Sequence, residues 1–192
     1  MIKLSNIRKA FDEKTVLDGF SLSVQDREHI AIMGESGCGK TTLLRIIAGL
    51  DTPDSGFVEG YRFEDVGYTF QESRLFESLT VLDNIACVSD KPMREARKDA
   101  MYWVNAVGLA DSADLYPSEL SGGMAQRVSI ARMLMANKEI LLLDEAFSAL
   151  DEDTKKGIIA LIKEHSQLKT LILVTHSKTD AEQMSTRIVT MG

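Results

Sequence analysis

Gly34-Glu35-Ser36-Gly37-Cys38-Gly39-Lys40-Thr41 is the stretch on which the reading of this chain turns. It fits G-x-x-x-x-G-K-[ST] at every fixed position. The glycines let backbone N–H groups curl around phosphate oxygens with no Cβ in the way. A helix opening near Lys40 adds the positive end of its dipole. The Lys40 ammonium can reach the β- and γ-phosphates of a nucleotide, and the Thr41 hydroxyl can be offered to Mg²⁺. Gly34, Glu35, Ser36, Gly37, Cys38, Gly39, Lys40, Thr41 and the following Thr42 together form the candidate cofactor-binding segment. The context agrees. His29-Ile30-Ala31-Ile32-Met33 is a short apolar run that predicts a buried strand. Thr41–Ala48 has helical character and stops at Gly49. A chance glycine-rich turn would lack this strand–loop–helix setting.

Working outward, the next informative stretch is Ile140-Leu141-Leu142-Leu143-Asp144-Glu145. An apolar strand that ends in two acids needs a reason, because unpaired buried charge is costly. A metal ion supplies one. Asp144 is expected to hold Mg²⁺, through water. Glu145 is expected to face the γ-phosphate and polarise the attacking water as general base.

The rest of the chain frames these two stretches. Ile2, Leu4 and Ile7 mark a short extended run, and Val16-Leu17 and Phe20–Val24 follow as strand pieces, the latter with strict alternation. Gly56–Glu59 and Val66–Phe70 are further strands. Thr80-Val81-Leu82-Asp83 is a capping-box-like helix start with Asp at the third position. Helices are expected over Met93–Val107, Gly122–Met135 and Thr154–His165, a strand over Leu171–Thr175, a helix opening at Ser177, and a last strand over Ile188–Met191. Strand, loop, helix and strand recur, which predicts an α/β fold with a mainly parallel sheet. The early strands are expected to form a small antiparallel layer. Residues 72–120 are expected to be a helical lobe inserted into a core made of 1–71 and 121–192.

Composition sets limits. The chain has 192 residues, 44% of them apolar, with a net charge of −7. That excludes disorder and argues against binding a nucleic-acid backbone. Two cysteines without paired spacing, Cys38 and Cys87, fit a reduced compartment. The N-terminus alternates and soon turns polar, unlike a signal peptide. No apolar run approaches the roughly 18–20 residues of a membrane span. Any work at a membrane is therefore expected to need a partner.

Leu120-Ser121-Gly122-Gly123-Met124-Ala125-Gln126-Arg127 precedes the acidic strand. Physically it is a serine N-cap with two glycines opening a helix, so it is a second anion site. It also resembles the signature motif of ABC-type ATPases. Gln71 is similar to that family's Q-loop glutamine, Ser148-Ala149-Leu150-Asp151 to its D-loop, and His176 to its switch histidine. Phe11 stands where the family places an aromatic that stacks on adenine. The features occur in the family's order and span essentially the whole chain.

The resemblance implies a P-loop NTPase core that binds ATP and Mg²⁺ and hydrolyses ATP. It implies that Thr41, Gln71 and Asp144 surround the metal, and that Glu145, His176, Gln71 and Lys40 act in catalysis. It further implies that two copies pair head to tail, so that Ser121, Gly122 and Gly123 of one close in trans over the ATP of the other. The stretch Phe70–Ile85 is similar to bacterial importers of the nitrate/sulfonate/taurine type. There, a groove beside the Q-loop receives a short helix from an integral membrane permease. Leu75, Phe76 and Leu79 are candidates for its wall, or for the lobe's own core. The implied place is cytoplasmic, peripheral on the inner face of the membrane, with an extracytoplasmic substrate-binding protein as a further partner. Exporter subunits share much of this stretch, and a non-transport ABC ATPase acting as a switch or assembly factor is the other alternative. The chain departs from the family at Met124, where glutamine is commonest, and at Ala146, where proline usually follows the acid. It ends soon after His176, so no C-terminal regulatory extension is expected.

Overall fold

The strand before the glycine loop, β3 (His29–Gly34), lies inside a five-stranded sheet of order β5-β6-β7-β3-β8. The other strands are β5 (Val66–Thr69), β6 (Ile140–Asp144), β7 (Thr170–Val174) and β8 (Arg187–Met191). β3 pairs in parallel with β7 and β8, and β6 in parallel with β7. Every residue of β6 and β7 is buried. This is why these segments read as continuous apolar runs rather than alternating ones. The computed structural model describes residues 1–12 and 14–192.

A second, three-stranded antiparallel sheet has the order β2-β1-β4, from β1 (Ile2–Phe11), β2 (Lys14–Val24) and β4 (Ser55–Glu59). The sequence suggested short separate runs here; the structure has two long strands. The difference lies in the register. Ile7 pairs with Phe20, but Lys9 pairs with Leu17, so β2 carries an extra residue there. Such bulges interrupt the period-2 pattern on which a strand reading depends. The helix after the glycine loop, α1 (Lys40–Ile47), buries Leu43, Leu44, Ile46 and Ile47. They share one apolar cluster with Ile2, Leu4 and Leu17 of the small sheet and with Ile32, Leu142 and Val174 of the large one. A helix that is apolar on most sides fits between two layers. Helix α6 (Lys178–Met184), capped by Ser177, packs beside β3.

The chain divides into two compact units. All of the above except Thr69 lies in the first, which comprises Met1–Tyr68, Glu139–Glu145 and Ser166–Gly192. The second comprises Thr69–Lys138 and Ala146–His165. It is helical, with α2 (Val81–Ala86), α3 (Met93–Ala106), α4 (Gly122–Met135) and most of α5 (Glu152–Ser166). Residues 72–120 fall within this unit, as do 121–138 and 146–165. The unit also takes in α4, which packs on both α2 and α3.

Within the second unit, Asn84 holds the loop before α2. Its Oδ1 accepts from the Phe76 N–H at 2.8 Å, and its Nδ2 donates toward the carbonyls of Phe76, Leu79 and Thr80 at 2.9–3.1 Å. Asn84 is fully buried, so no water can replace these bonds. Asn84→Ala is therefore expected to cost about 3 kcal/mol in denaturant unfolding. A loss under about 1 kcal/mol would show that the loop does not depend on this side chain. Among the described residues, no helix is long and apolar enough to cross a membrane.

Candidate functional site

Parallel pairing brings strand ends together. β6, β7 and β3 are consecutive in the sheet, in matching register: Asp144 lies opposite Val174, and Ile32 opposite Val174 on the other side. The carboxyl ends of these strands therefore carry, side by side, Asp144–Glu145, Thr175–His176 and the loop that starts at Gly34. Open parallel sheets bind ligands at this edge.

In the loop, Lys40 is buried, and its ammonium donates to the carbonyls of Gly34 at 2.9 Å and Glu35 at 2.8 Å. A cation is thus held inside the loop beside the first turn of α1. Its charge and the helix dipole both favour an anion there. Gly39 caps α1 at φ 101, and a Cβ on it would come within 2.8 Å of the Val16 carbonyl and 2.9 Å of the Leu17 side chain. Only glycine fits between the loop and β2. The same β1–β2 hairpin carries Phe11, which is half exposed and has the Lys9 ammonium 5.5 Å from its ring centre. Cys38 is a free, partly buried thiol.

Asp144 is 1% exposed, and each of its carboxylate oxygens accepts a hydroxyl hydrogen bond. Thr41 donates to Oδ1 at 3.2 Å, and Tyr68 donates to Oδ2 at 2.9 Å. Burial pushes the Asp144 carboxyl above the usual aspartate range, against the lowering effects of Tyr68, Thr41 and the Lys40 charge. A carboxyl whose pKa is raised by folding stabilises the fold at low pH, and that contribution is lost as pH rises through the folded value. Asp144→Asn is accordingly expected to raise Tm near pH 8 by about 2–4 °C in EDTA. The gain should shrink toward zero near about pH 3, below the ordinary aspartate range. A pH series of thermal melts checks this, and a Tm lowered at neutral pH would refute it.

Glu145 adopts φ 48, a left-handed conformation uncommon for a residue with a side chain. Its N–H donates to the Val174 carbonyl at 2.9 Å, continuing the β6–β7 ladder for one more bond. The backbone then turns, and the carboxylate meets His176: Nδ1 lies 2.9 Å from Oε2. The acceptor is a carboxylate, so Nδ1 is the donor. The Glu145 side chain is 15% exposed and that of His176 74% exposed. An acid, a ring that can orient it, a buried cation and a glycine-rich loop make an arrangement suited to proton abstraction next to an anion.

The remaining sequence-derived candidates lie in the second unit. Gln71, Ser121 and Gly122 are exposed, and Gly123 is partly buried. The Ser121 hydroxyl caps α4, accepting from the Met124 N–H at 3.2 Å. Sequence reasoning passed over two contacts. One is the Tyr68 bond to Asp144. The other is Arg132 of α4, which donates to the carbonyls of Ser73 at 3.2 Å and Arg74 at 3.0 Å, in the loop just after Gln71. Burial lowers the Arg132 pKa from its ordinary value. Neither contact has a local sequence signal, since both join distant segments.

Known proteins are similar to this chain. The model of the family described as ABC transporter matches residues 17–148. The sulfate/thiosulfate import ATP-binding protein CysA of Pseudomonas aeruginosa is 40% identical over 210 residues, covering 100% of this chain; the chain spans 64% of that relative's length. The aliphatic sulfonates import ATP-binding protein SsuB 1 of Pseudomonas syringae pv. syringae is 45% identical over 186 residues, covering 96% of this chain and 77% of the relative. Among solved structures, a dimeric ATP-binding cassette in a post-hydrolysis state, bound to ADP and Pi, superposes with a TM-score of 0.92 at 32% identity, covering 100% of this chain and 94% of its own. The family match and the identity to these relatives over essentially the whole chain show that the chain belongs to the ABC transporter family.

Proposed function

We propose that this chain is the ATP-binding and ATP-hydrolysing subunit of a membrane transporter, an importer, and that it works as a head-to-tail dimer. The observation that carries the reading is the row of strand ends that sets Lys40, Asp144, Glu145 and His176 along one sheet edge. The names of the similar proteins, which are import subunits, support the direction of transport.

In this reading, the glycine loop from Gly34 to Thr42 and the Lys40 ammonium bind the phosphates of ATP, and Phe11 stacks on the base. The residues fit Mg²⁺: a threonine hydroxyl and a carboxylate are hard oxygen donors, they lie 3.2 Å apart, and a buried anion gains from a nearby cation. Thr41 and Asp144 would hold it, with Gln71 reaching it or the attacking water. Mg²⁺, when bound, neutralises charge on the phosphate oxygens. Glu145 accepts the proton of the attacking water. His176 donates through Nδ1 to Glu145 and so orients the carboxylate; Nε2 can donate to a γ-phosphate oxygen only when the ring carries its second proton. Ser121, Gly122 and Gly123 of a second copy supply the donors of the opposite face. An integral membrane permease, together with an extracytoplasmic substrate-binding protein, completes the assembly, which places the chain on the cytoplasmic face of the membrane.

Two measurements test this together. Purified protein is expected to hydrolyse ATP only with Mg²⁺, and affinity capture from detergent-solubilised membranes is expected to recover an integral membrane protein. Absence of turnover refutes the enzymatic part; turnover without any membrane partner refutes the transport part.

A further inference from the structure

Asp144 is gripped by two hydroxyls of different character. Thr41 lies on α1, and its hydroxyl sits on a short side chain that turns about one bond. Tyr68 lies on β5, the strand next to β6 in the sheet, and its ring is partly buried against the main apolar cluster. Its hydroxyl is therefore carried at the end of a rigid lever fixed by packing, 2.9 Å from Oδ2. An ionised carboxylate offers about four acceptor positions. Two are taken here, one on each oxygen. The remaining positions lie in the plane of the carboxylate, and the two donors hold that plane against rotation about the Cβ–Cγ bond.

We infer that Tyr68 is a positioning residue for Asp144, fixing the carboxylate plane so that its free lone pairs face the divalent cation bound with the nucleotide. This rests on the proposed ATPase reading and deepens it. Thr41 would also offer its hydroxyl oxygen to that cation, so its grip on Asp144 would be tied to the ligand. Tyr68 stands on a strand with its ring packed on the apolar cluster, so the direction of its hydroxyl is set by the fold rather than by the ligand. Outer groups that orient a metal-binding side chain commonly change metal affinity by tenfold or more.

The test is Tyr68→Phe in the full chain, a change that removes one oxygen and keeps the ring. Binding of a fluorescent ATP analogue is followed in EDTA and across a Mg²⁺ titration, and Mn²⁺ uptake in the presence of ATP is followed by electron paramagnetic resonance. The variant is expected to bind the analogue in EDTA as the parent does. It is expected to need about tenfold more Mg²⁺ or Mn²⁺ for half-saturation. Tyr61→Phe serves as control. It removes a hydroxyl bond of similar kind, from Tyr61 to the Ile47 carbonyl, away from Asp144, and should leave the metal dependence unchanged. An unchanged Mg²⁺ midpoint in Tyr68→Phe overturns the inference. So does an equal loss of binding with and without metal, which is the mark of a purely structural role. If instead the parent protein binds no nucleotide, or binds it with no regard to Mg²⁺, the ATPase reading itself has failed, and the two failures are told apart by the parent's curve alone.

Discussion

Glu145→Gln is expected to lower Mg²⁺-dependent ATP turnover by about a thousandfold while leaving ATP binding near that of the parent. The amide has almost the same shape as the carboxylate. It can still accept from His176 Nδ1, the 2.9 Å contact of the parent. What it cannot do is take a proton from water. The backbone has no reason to move either, because the left-handed φ at residue 145 is fixed by the N–H bond to Val174. That conformation costs about 1 kcal/mol for a residue with a Cβ, and neighbouring bonds must hold it. Since binding survives and hydrolysis does not, the ATP-bound dimer should accumulate and appear at twice the monomer mass by light scattering. Turnover within about tenfold of the parent would remove Glu145 from the role of base. Loss of ATP binding in the variant would instead mean that the side chain shapes the loop.

Much of the frame behind that expectation is legible in the sequence. The apolar runs at 29–33, 140–143 and 171–175 mark buried strands within a residue or two of β3, β6 and β7. Gly34–Thr41 declares the phosphate loop, and Ser121 is readable as a helix cap. The β1–β2 hairpin is less legible because its bulges shift the alternation at Leu17 and Phe20. The order of strands is not legible at all: nothing local says that β7 separates β6 from β3. The meeting of Glu145 with His176, and of Tyr68 with Asp144 across 76 residues, follows from that order alone. The positive φ of Glu145 is also unsignalled, because no glycine or asparagine stands there to announce it. The site's residue types are thus set by local chemistry, and their mutual geometry by non-local pairing.

The second large effect is expected at Gly123, and its neighbour Gly122 provides the contrast. Both open α4, where alanine is the better helix former, so propensity alone would make either Gly→Ala change mildly stabilising. Space separates them. A Cβ at Gly122 meets nothing within 4 Å, whereas one at Gly123 falls 2.8 Å from the Ala149 carbonyl oxygen. Ala149 lies in the D-loop-like segment that follows Glu145 by a few residues. Its carbonyl cannot swing aside as a side chain would. The loop is pinned on both flanks, by the Leu150 N–H to the Phe147 carbonyl at 3.1 Å and the Thr154 N–H to Asp151 Oδ1 at 3.0 Å. Gly123→Ala must therefore displace the loop as a whole. Misplacements of about an ångström, even in parts of a protein far from the chemistry, can cost on the order of a hundredfold, and that is the loss of turnover expected for this variant. Gly122→Ala, acting only on the face proposed to meet a partner's nucleotide, should lose less than about tenfold. Hydrogen exchange at residues 147–151 without nucleotide separates the causes. Faster exchange in Gly123→Ala alone places the fault in the chain's own loop, and equal exchange in both variants with equal losses of turnover would leave the glycines distinguished by nothing but position.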